Sequence, residues 1–243
     1  MNLKIVIPMA GLGSRFATQG YEDPKPLIQF LGKPMIQHVV EHLGMMKNEH
    51  IFLCQKSHVE KYKLHELFAS FLGNFKIVEA DGLTEGAACT VMLADKVLDP
   101  DDEVMLVNSD QLVLWDKDLT ELRYDNIGGG IYYFRGEGPK WSYARINHAG
   151  FVIEVAEKKQ ISEFATSGMY YWKKWSYFMD AASHMIAAND RVNNEFYVAP
   201  VYNYALERNI IIRPVDYVHQ VGTPEELDAY LAYKASCHLT DGQ

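Results

Sequence analysis

Leu3-Lys4-Ile5-Val6-Ile7-Pro8-Met9-Ala10-Gly11-Leu12-Gly13-Ser14-Arg15-Phe16 is an apolar run that stops at a proline and opens into a loop of small residues. Continuous apolar character, rather than alternation, is the pattern of a parallel strand buried on both faces. In the loop, two glycines and small neighbours let backbone N–H groups approach an anion closely. Arg15 adds a planar charged donor that can grip phosphate oxygens in pairs. Further on, Pro24-Lys25-Pro26 sets a lysine between two prolines that stiffen its backbone. The pattern is not a Walker loop, because no Gly-Lys-Ser/Thr follows, and it lacks the third glycine of the dinucleotide fingerprint.

Outward from this stretch the chain alternates between two periodicities. Residues 34–46 carry apolar side chains at helical spacing (Met35, Ile36, Val39, Val40, Leu43) and close on Gly44. Residues 50–54 read as a second buried strand, 59–71 as a helix, 75–79 as a third strand, 86–97 as a helix and 103–107 as a fourth strand. This order predicts an α/β domain, Rossmann-like, with a mostly parallel central sheet flanked by helices. The second half is more mixed. Strands are expected at 131–134, 143–146, 151–156, 167–172 and 210–214, with Asn147-His148-Ala149-Gly150 as a hairpin turn. Helices are expected at 175–188, 198–208 and 224–234, the last capped by Thr223 with Glu226 three residues on. One domain over 1–243 is expected, with a nucleotide-binding half at 1–125 and a mixed-strand acceptor half at 126–243. The aromatic run Tyr170-Tyr171-Trp172-Trp175-Tyr177-Phe178 reads as core, with an aromatic wall against a ligand as the alternative.

Composition narrows the function. Of 243 residues, 23 are Lys or Arg and 32 Asp or Glu, a formal charge of −9. That balance argues against non-specific nucleic-acid binding, which needs cations to neutralise phosphates. Cys54, Cys89 and Cys237 are too few and too scattered for a disulfide framework, so a reducing cytoplasm is expected. The first apolar run is too short for a signal peptide or a spanning helix, and no membrane association is expected. The histidines show no His-Glu-x-x-His spacing and no Gly-x-Ser-x-Gly elbow occurs, so zinc and serine-hydrolase chemistry are not indicated.

Ala10-Gly11-Leu12-Gly13-Ser14-Arg15-Phe16, then Pro24-Lys25-Pro26-Leu27 and Gly32-Lys33-Pro34-Met35, together resemble the signature of sugar-1-phosphate nucleotidyltransferases, with their nucleotide-diphospho-sugar transferase-like fold. The resemblance implies that Met9, Ala10, Gly11, Gly13 and Ser14 wrap a triphosphate, while Arg15 and Lys25 act on the reacting phosphates. It implies that Asp81, Thr84, Gly86 and Ala87, at a strand-to-helix junction, receive the base, and that Asn108 orients the ribose or the metal shell. Asp110, in the polar loop after a buried strand, becomes the principal ligand of a Mg²⁺ cofactor. Glu157 and Lys158 become the acceptor site, Gly168 leaves room for the substrate, and Glu195 reaches the acceptor.

The implied reaction joins a nucleoside triphosphate to a sugar 1-phosphate, the family default, or to another small phosphorylated metabolite such as phosphocholine or a phosphorylated amino acid, and releases pyrophosphate. CTP and a role in surface (capsule) polysaccharide synthesis are the favoured specifics, on resemblance alone. Self-association is left open. One position departs from the pattern: Gln220 in Tyr217-Val218-His219-Gln220-Val221-Gly222-Thr223-Pro224 stands where similar enzymes often have a second metal carboxylate. Two other readings remain. A metal-dependent glycosyltransferase of the related fold would favour Asp-x-Asp, which Asp110-Gln111-Leu112 breaks. A non-catalytic nucleotide- or sugar-phosphate-binding module would tolerate Gln220.

Overall fold

The computed structural model describes residues 3–11 and 13–240, with side chains to residue 237, so Leu12 of the quoted loop lies outside the described residues. The opening run forms β1 (Lys4–Pro8). Ile5, Val6 and Ile7 are fully buried, and alternation sends Ile5 and Ile7 into one core cluster and Val6 into the other. Both faces of the strand are therefore covered, which is why the run is apolar throughout. Helix α1 (Ser14–Thr18) follows the loop, and a small hairpin, β2 (Gln29–Phe30) with β3 (Lys33–Pro34), precedes α2 (Met35–Leu43). Helix α2 starts after Pro34, buries Met35, Ile36, Val39, Val40 and Leu43, and ends at Gly44, as its periodicity implied.

The chain continues through β4 (Glu49–Gln55), α3 (Lys56–Lys61), α4 (Leu64–Ala69), β5 (Phe75–Ala80), α5 (Ala87–Met92), β6 (Val104–Val107) and β7 (Gln111–Leu114). Strands β1, β4, β5 and β6 pair in parallel. The second half adds β8 (Gly129–Arg135), β9 (Ser142–Ile146), β10 (Val152–Glu157), β11 (Phe164–Trp172), α6 (Trp175–Ala187), β12 (Ile210–Pro214), β13 (Tyr217–Gln220) and α7 (Pro224–Thr240). One nine-stranded sheet runs β10-β9-β11-β6-β1-β4-β5, with β8 on β11 and β12 on β8. The parallel character belongs to the first half. Strand β11 enters antiparallel to β6, so the sheet as a whole is mixed.

Strand β11 pairs with β6 through Met169–Trp172 and meets β9 at Ala165, and its register with β8 slips between Thr166 and Tyr170. Gly168 sits in that slip with φ 76°. The bulge swings the strand away from β6, and the cleft it leaves lies beyond the carboxyl ends of β1 and β6. Ligands bind at such a place in α/β sheets.

Three expected helices are shorter than their patterns. Residues 59–71 break at Lys63, whose φ is 49°, giving α3 and α4. Helix α5 tightens into a 3-10 turn at Leu93–Lys96. The 198–208 stretch forms 3-10 turns at Ala199–Tyr204 and Leu206–Arg208, because Pro200 offers no N–H and seeds a tight turn. The hairpin turn at Asn147 is present, its Oδ1 accepting from Ala149 and Phe151 N–H. Thr223 caps α7, its Oγ1 accepting from Glu226 N–H at 3.2 Å. No helix among the described residues is long and apolar enough to cross a membrane.

His50, at the start of β4, is fully buried and donates Nδ1–H to Asn48 O at 3.0 Å, while Nε2 has no partner among the described residues. Burial lowers its pKa to about 4, against about 6.5 in an unfolded chain. The unfolded state takes up a proton below pH 6.5 that the folded state refuses until pH 4, so this contribution to stability is lost as pH falls through that window. Urea unfolding at pH 7 and pH 4.5 should show the wild type losing about 2 kcal/mol more than His50→Phe over this range.

Candidate active site

The cleft is a cavity of about 650 Å³, ample for a nucleotide with a second small molecule. Its first wall is the end of β1 and the loop after it, where Met9, Ala10, Gly11, Gly13, Ser14 and Arg15 all face the space. The side-chain amide of Gln55 fixes this loop by donating to Ala10 O at 2.7 Å. Arg15, in the first turn of α1, is exposed and has no ion-pair partner among the described residues. Pro24 and Pro26 hold Lys25 in a tight turn, with Leu27 N–H on Pro24 O at 2.8 Å. From that turn Lys25 Nζ reaches Asp110 Oδ2 at 2.6 Å. Asp110 follows β6, and its carbonyl accepts from Val221 N–H at 3.1 Å.

The opposite wall carries Thr84, Gly86 and Ala87. Thr84 donates to Gly86 O at 2.9 Å and shares a hydrogen bond with Thr90 at 2.6 Å, which fixes the loop's shape. Gly86 was expected to leave space for a base, and the structure gives it a packing role. A Cβ there would lie 2.5 Å from the backbone of Phe196, and its φ of 138° disfavours a side chain. Phe196 N–H donates to Glu85 O and its carbonyl accepts from Ala88 N–H. The absent side chain thus lets the loop holding Glu195 and Tyr197 clamp onto the Thr84–Ala87 wall. Asp81 is exposed and lies outside the cavity wall, a departure from the expected base contact.

At the far end stand Glu157, Lys158 and Glu195. Lys158 donates to Tyr197 Oη at 2.6 Å and sits 4.7 Å from the centre of that ring. Glu157 accepts a hydrogen bond from Ser142 Oγ, and its carboxyl is held above the usual range, chiefly by burial. The Ser142 bond and Lys158 oppose that shift, while the nearby charge of Glu195 adds to it. Gly168 is not in the wall, contrary to expectation. The place of its missing side chain is filled by Gln111, whose Oε1 would be 1.5 Å from a Cβ.

That glycine supports a chain of amides which the sequence alone did not reveal. Asn108 Nδ2 donates to Gln111 Oε1 at 3.1 Å, and Gln111 Nε2 donates to Gln220 Oε1 at 3.0 Å. Gln111 and Gln220 face each other across the β7–β13 pair. Lys140, Trp141, Ser142, Tyr197 and Glu226 also line the cavity without having been expected there. Their only signals were local: Ser142 opens a strand, and Glu226 reads as a helix cap.

A profile of the nucleotidyl transferase family matches residues 4–208. The chain belongs to that family. The bifunctional protein GlmU of Methanocaldococcus jannaschii is 31% identical over 172 residues, 70% of this chain and 40% of its own length. The chain therefore spans about two fifths of that relative. A nucleoside-diphosphate-sugar pyrophosphorylase from Vibrio cholerae RC9 superposes with a TM-score of 0.82 at 26% identity, over 94% of this chain and 99% of its own. A UDP-glucose pyrophosphorylase solved with UDP-glucose gives a TM-score of 0.78 at 18% identity, over 97% and 100%. The fold is that of these pyrophosphorylases. In this nucleotidyltransferase the family match stops at Arg208, so Gln220 and Glu226 reach the cavity from beyond it.

Gly168→Ala should destabilise the protein by about 2–4 kcal/mol, from left-handed backbone strain plus overpacking against Gln111. Urea denaturation measures this, and an unchanged midpoint would contradict the packing described.

Proposed function

We propose that this nucleotidyltransferase joins a nucleoside triphosphate to a sugar 1-phosphate, or another small phosphorylated metabolite, and releases pyrophosphate. The observation that carries the reading is one cavity with Arg15, Lys25 and Asp110 at one end and Lys158 at the other. Sugar phosphates are the first acceptors to try, because the superposing proteins include a nucleoside-diphosphate-sugar pyrophosphorylase and a UDP-glucose pyrophosphorylase. CTP is the first triphosphate to try, and a supply of precursors for surface polysaccharide is the setting we favour. Both rest on the sequence signature.

An acceptor phosphate oxygen attacks the α-phosphorus in line. The new P–O bond forms as the bond to the β-phosphate bridging oxygen breaks, and the electron pair leaves with pyrophosphate. The attacking oxygen is already anionic near pH 7, so no general base is needed. The chain's task is to align two anions that repel each other and to neutralise the charge moving onto the leaving group. Arg15 and Lys25 would take the second role and Lys158 the first.

The donor set suits Mg²⁺ held jointly with substrate. Asp110 offers one carboxylate, and Asn108 Oδ1 receives no hydrogen bond among the described residues. Gln220 Oε1 is already an acceptor for Gln111. No group of three acidic, histidine or cysteine side chains among the described residues could cage a metal. Mg²⁺ commonly binds through one or two carboxylates plus phosphate oxygens and water. Asp110 would hold it here, and the ion would supply charge neutralisation on the phosphates.

Pyrophosphate release with a panel of triphosphates and acceptors tests the reading. Arg15→Ala and Lys25→Ala should each lower kcat by at least roughly 10²-fold while the thermal melt stays near wild type, since one preorganised donor to developing charge is worth about 2.7–4 kcal/mol. Near-normal kcat in both would remove the phosphate-loop assignment. Asp110→Asn should abolish turnover at limiting Mg²⁺ with the fold intact. Lys158→Ala should raise the acceptor KM more than the triphosphate KM, and an equal rise in both would take Lys158 out of the acceptor site.

A further inference from the structure

Lys140 is a cation that the sequence signature does not assign to the reaction, and the fold brings it to the phosphate end of the cavity. Its partner Glu226 stands in the first turn of α7 and is fixed there as part of the helix cap. Glu226 N–H donates to Thr223 Oγ1 at 3.2 Å, and Glu226 Oε2 accepts from Gly222 N–H at 3.2 Å. That leaves Oε1, which holds Lys140 Nζ at 3.1 Å. Gly222 lies between Glu226 and Asp110. The point that a Cβ would take there is 2.7 Å from Asp110 Oδ2 and 3.5 Å from Glu226 Oε2. Lys25 Nζ is 2.6 Å from the same Asp110 oxygen. Two ammonium groups are thus gathered on two neighbouring carboxylates. One comes from the nucleotide half, the other from the loop between β8 and β9.

That second loop is itself fixed. Gly138 N–H donates to Gln160 Oε1 at 3.0 Å, and Tyr143 Oη donates to Gly138 O at 2.6 Å. Lys140 lies over the Trp141 ring, its Nζ 4.1 Å from the centre, and that ring packs edge-on against Phe134. Only the lysine arm is free to move, since its side chain is 59% exposed. Solvent screens such a pair, so Glu226 holds the ammonium weakly. A triphosphate carries several negative charges where Glu226 carries one. A divalent cation held at Asp110 would also repel Lys140 while attracting Glu226. Both forces act in the same direction, from carboxylate to phosphate. We propose that Lys140 is a third cation for the triphosphate beside Arg15 and Lys25, stored on Glu226 in the free enzyme and released to the phosphate oxygens when nucleotide and metal enter. This assignment rests on the nucleotidyl transfer proposed above and adds a residue to its phosphate end.

Calorimetric titration tests it without turnover. The α,β-methylene analogues of CTP, UTP, dTTP, ATP and GTP are screened against the wild type with Mg²⁺. The one that binds is carried forward with its nucleoside monophosphate, which lacks the β- and γ-phosphates. Lys140→Ala should weaken the analogue by at least roughly tenfold, the worth of a lost charge-assisted bond, and leave the monophosphate within about twofold. Lys140→Arg should restore most of the loss. Glu226→Gln keeps the helix cap and removes the store, so the loss on deleting Lys140 should be as large or larger in that background. An analogue affinity unchanged by Lys140→Ala overturns the proposal. Equal losses for analogue and monophosphate overturn it too, because they mean a disturbed loop. So does a loss that vanishes when Glu226 is Gln, because Lys140 then only screens that carboxylate. Failure of every analogue to bind the wild type instead overturns the reaction on which the proposal rests.

Discussion

The absence of a side chain at Gly168 is the constraint on which the cleft depends. Strand β11 must pair with β6 at one end and lean toward β9 at the other, and its register slips where the glycine's left-handed backbone allows it. The space beside the bulge is taken by Gln111, and the amides of Asn108, Gln111 and Gln220 then tie the loop after β6 to β13. Asn108 N–H also donates to Gly168 O at 2.9 Å. The loop carrying Asp110 is thus held from both sides before any ligand enters. A Cβ at residue 168 would disturb the sheet and the site together.

Charge around the cavity is balanced by type rather than by place. Arg15, Lys25, Lys140 and Lys158 face it, as do Asp110, Glu157, Glu195 and Glu226. Lys25 and Asp110 neutralise each other at 2.6 Å, and Lys140 and Glu226 do so at 3.1 Å. These pairs are partly exposed, so solvent screens them and little stability follows from either. Their value is preorganisation. On the reading proposed, a triphosphate would meet cations already carried by the Pro24–Pro26 turn and the Gly-rich loop, and less ordering would accompany binding. Arg15 has no such partner among the described residues, so its guanidinium would be open to an incoming phosphate.

The first half of the fold was legible because its determinants are local. A strand covered on both faces must be apolar at every position, as β1 is, and a helix covered on one face must repeat its apolar residues, as α2 does. The resemblance implied that Lys25 and Asp110 share one site, but not that they pair directly across 85 residues of sequence. The break at Lys63 was not legible, because lysine carries no helix-stopping signal. The stretch 198–208 reads as helical in its apolar spacing, yet Pro200 and packing against α6 leave it as 3-10 turns. The β7–β13 pair was invisible for another reason. Its two strands are distant in sequence, and only their register brings Gln220 opposite Gln111. Gly168 was noticed, but the side chain that fills its space belongs to another strand.

Gln220 illustrates how a structural bond and a chemical role can be separated at one position. Gln111 Nε2 needs an acceptor across the strand pair, and Gln220 Oε1 provides it at 3.0 Å. A carboxylate could accept the same hydrogen bond, so the β7–β13 tie does not itself require an amide. What the amide changes is charge. With Lys25 on Asp110, the pair is near neutral, and a second carboxylate beside it would leave a net negative site that draws a cation into the free enzyme. With the amide, the pull on a cation before substrate arrives is weaker. The phosphates of the triphosphate then supply most of the attraction, and metal and nucleotide would enter together on this site. Asp110 would serve in that arrangement as the protein carboxylate nearest the phosphates, on a loop that Asn108, Gln111, Gln220 and Gly168 hold still, while Glu226 beside it is engaged in the free enzyme by Lys140 and the Gly222 N–H.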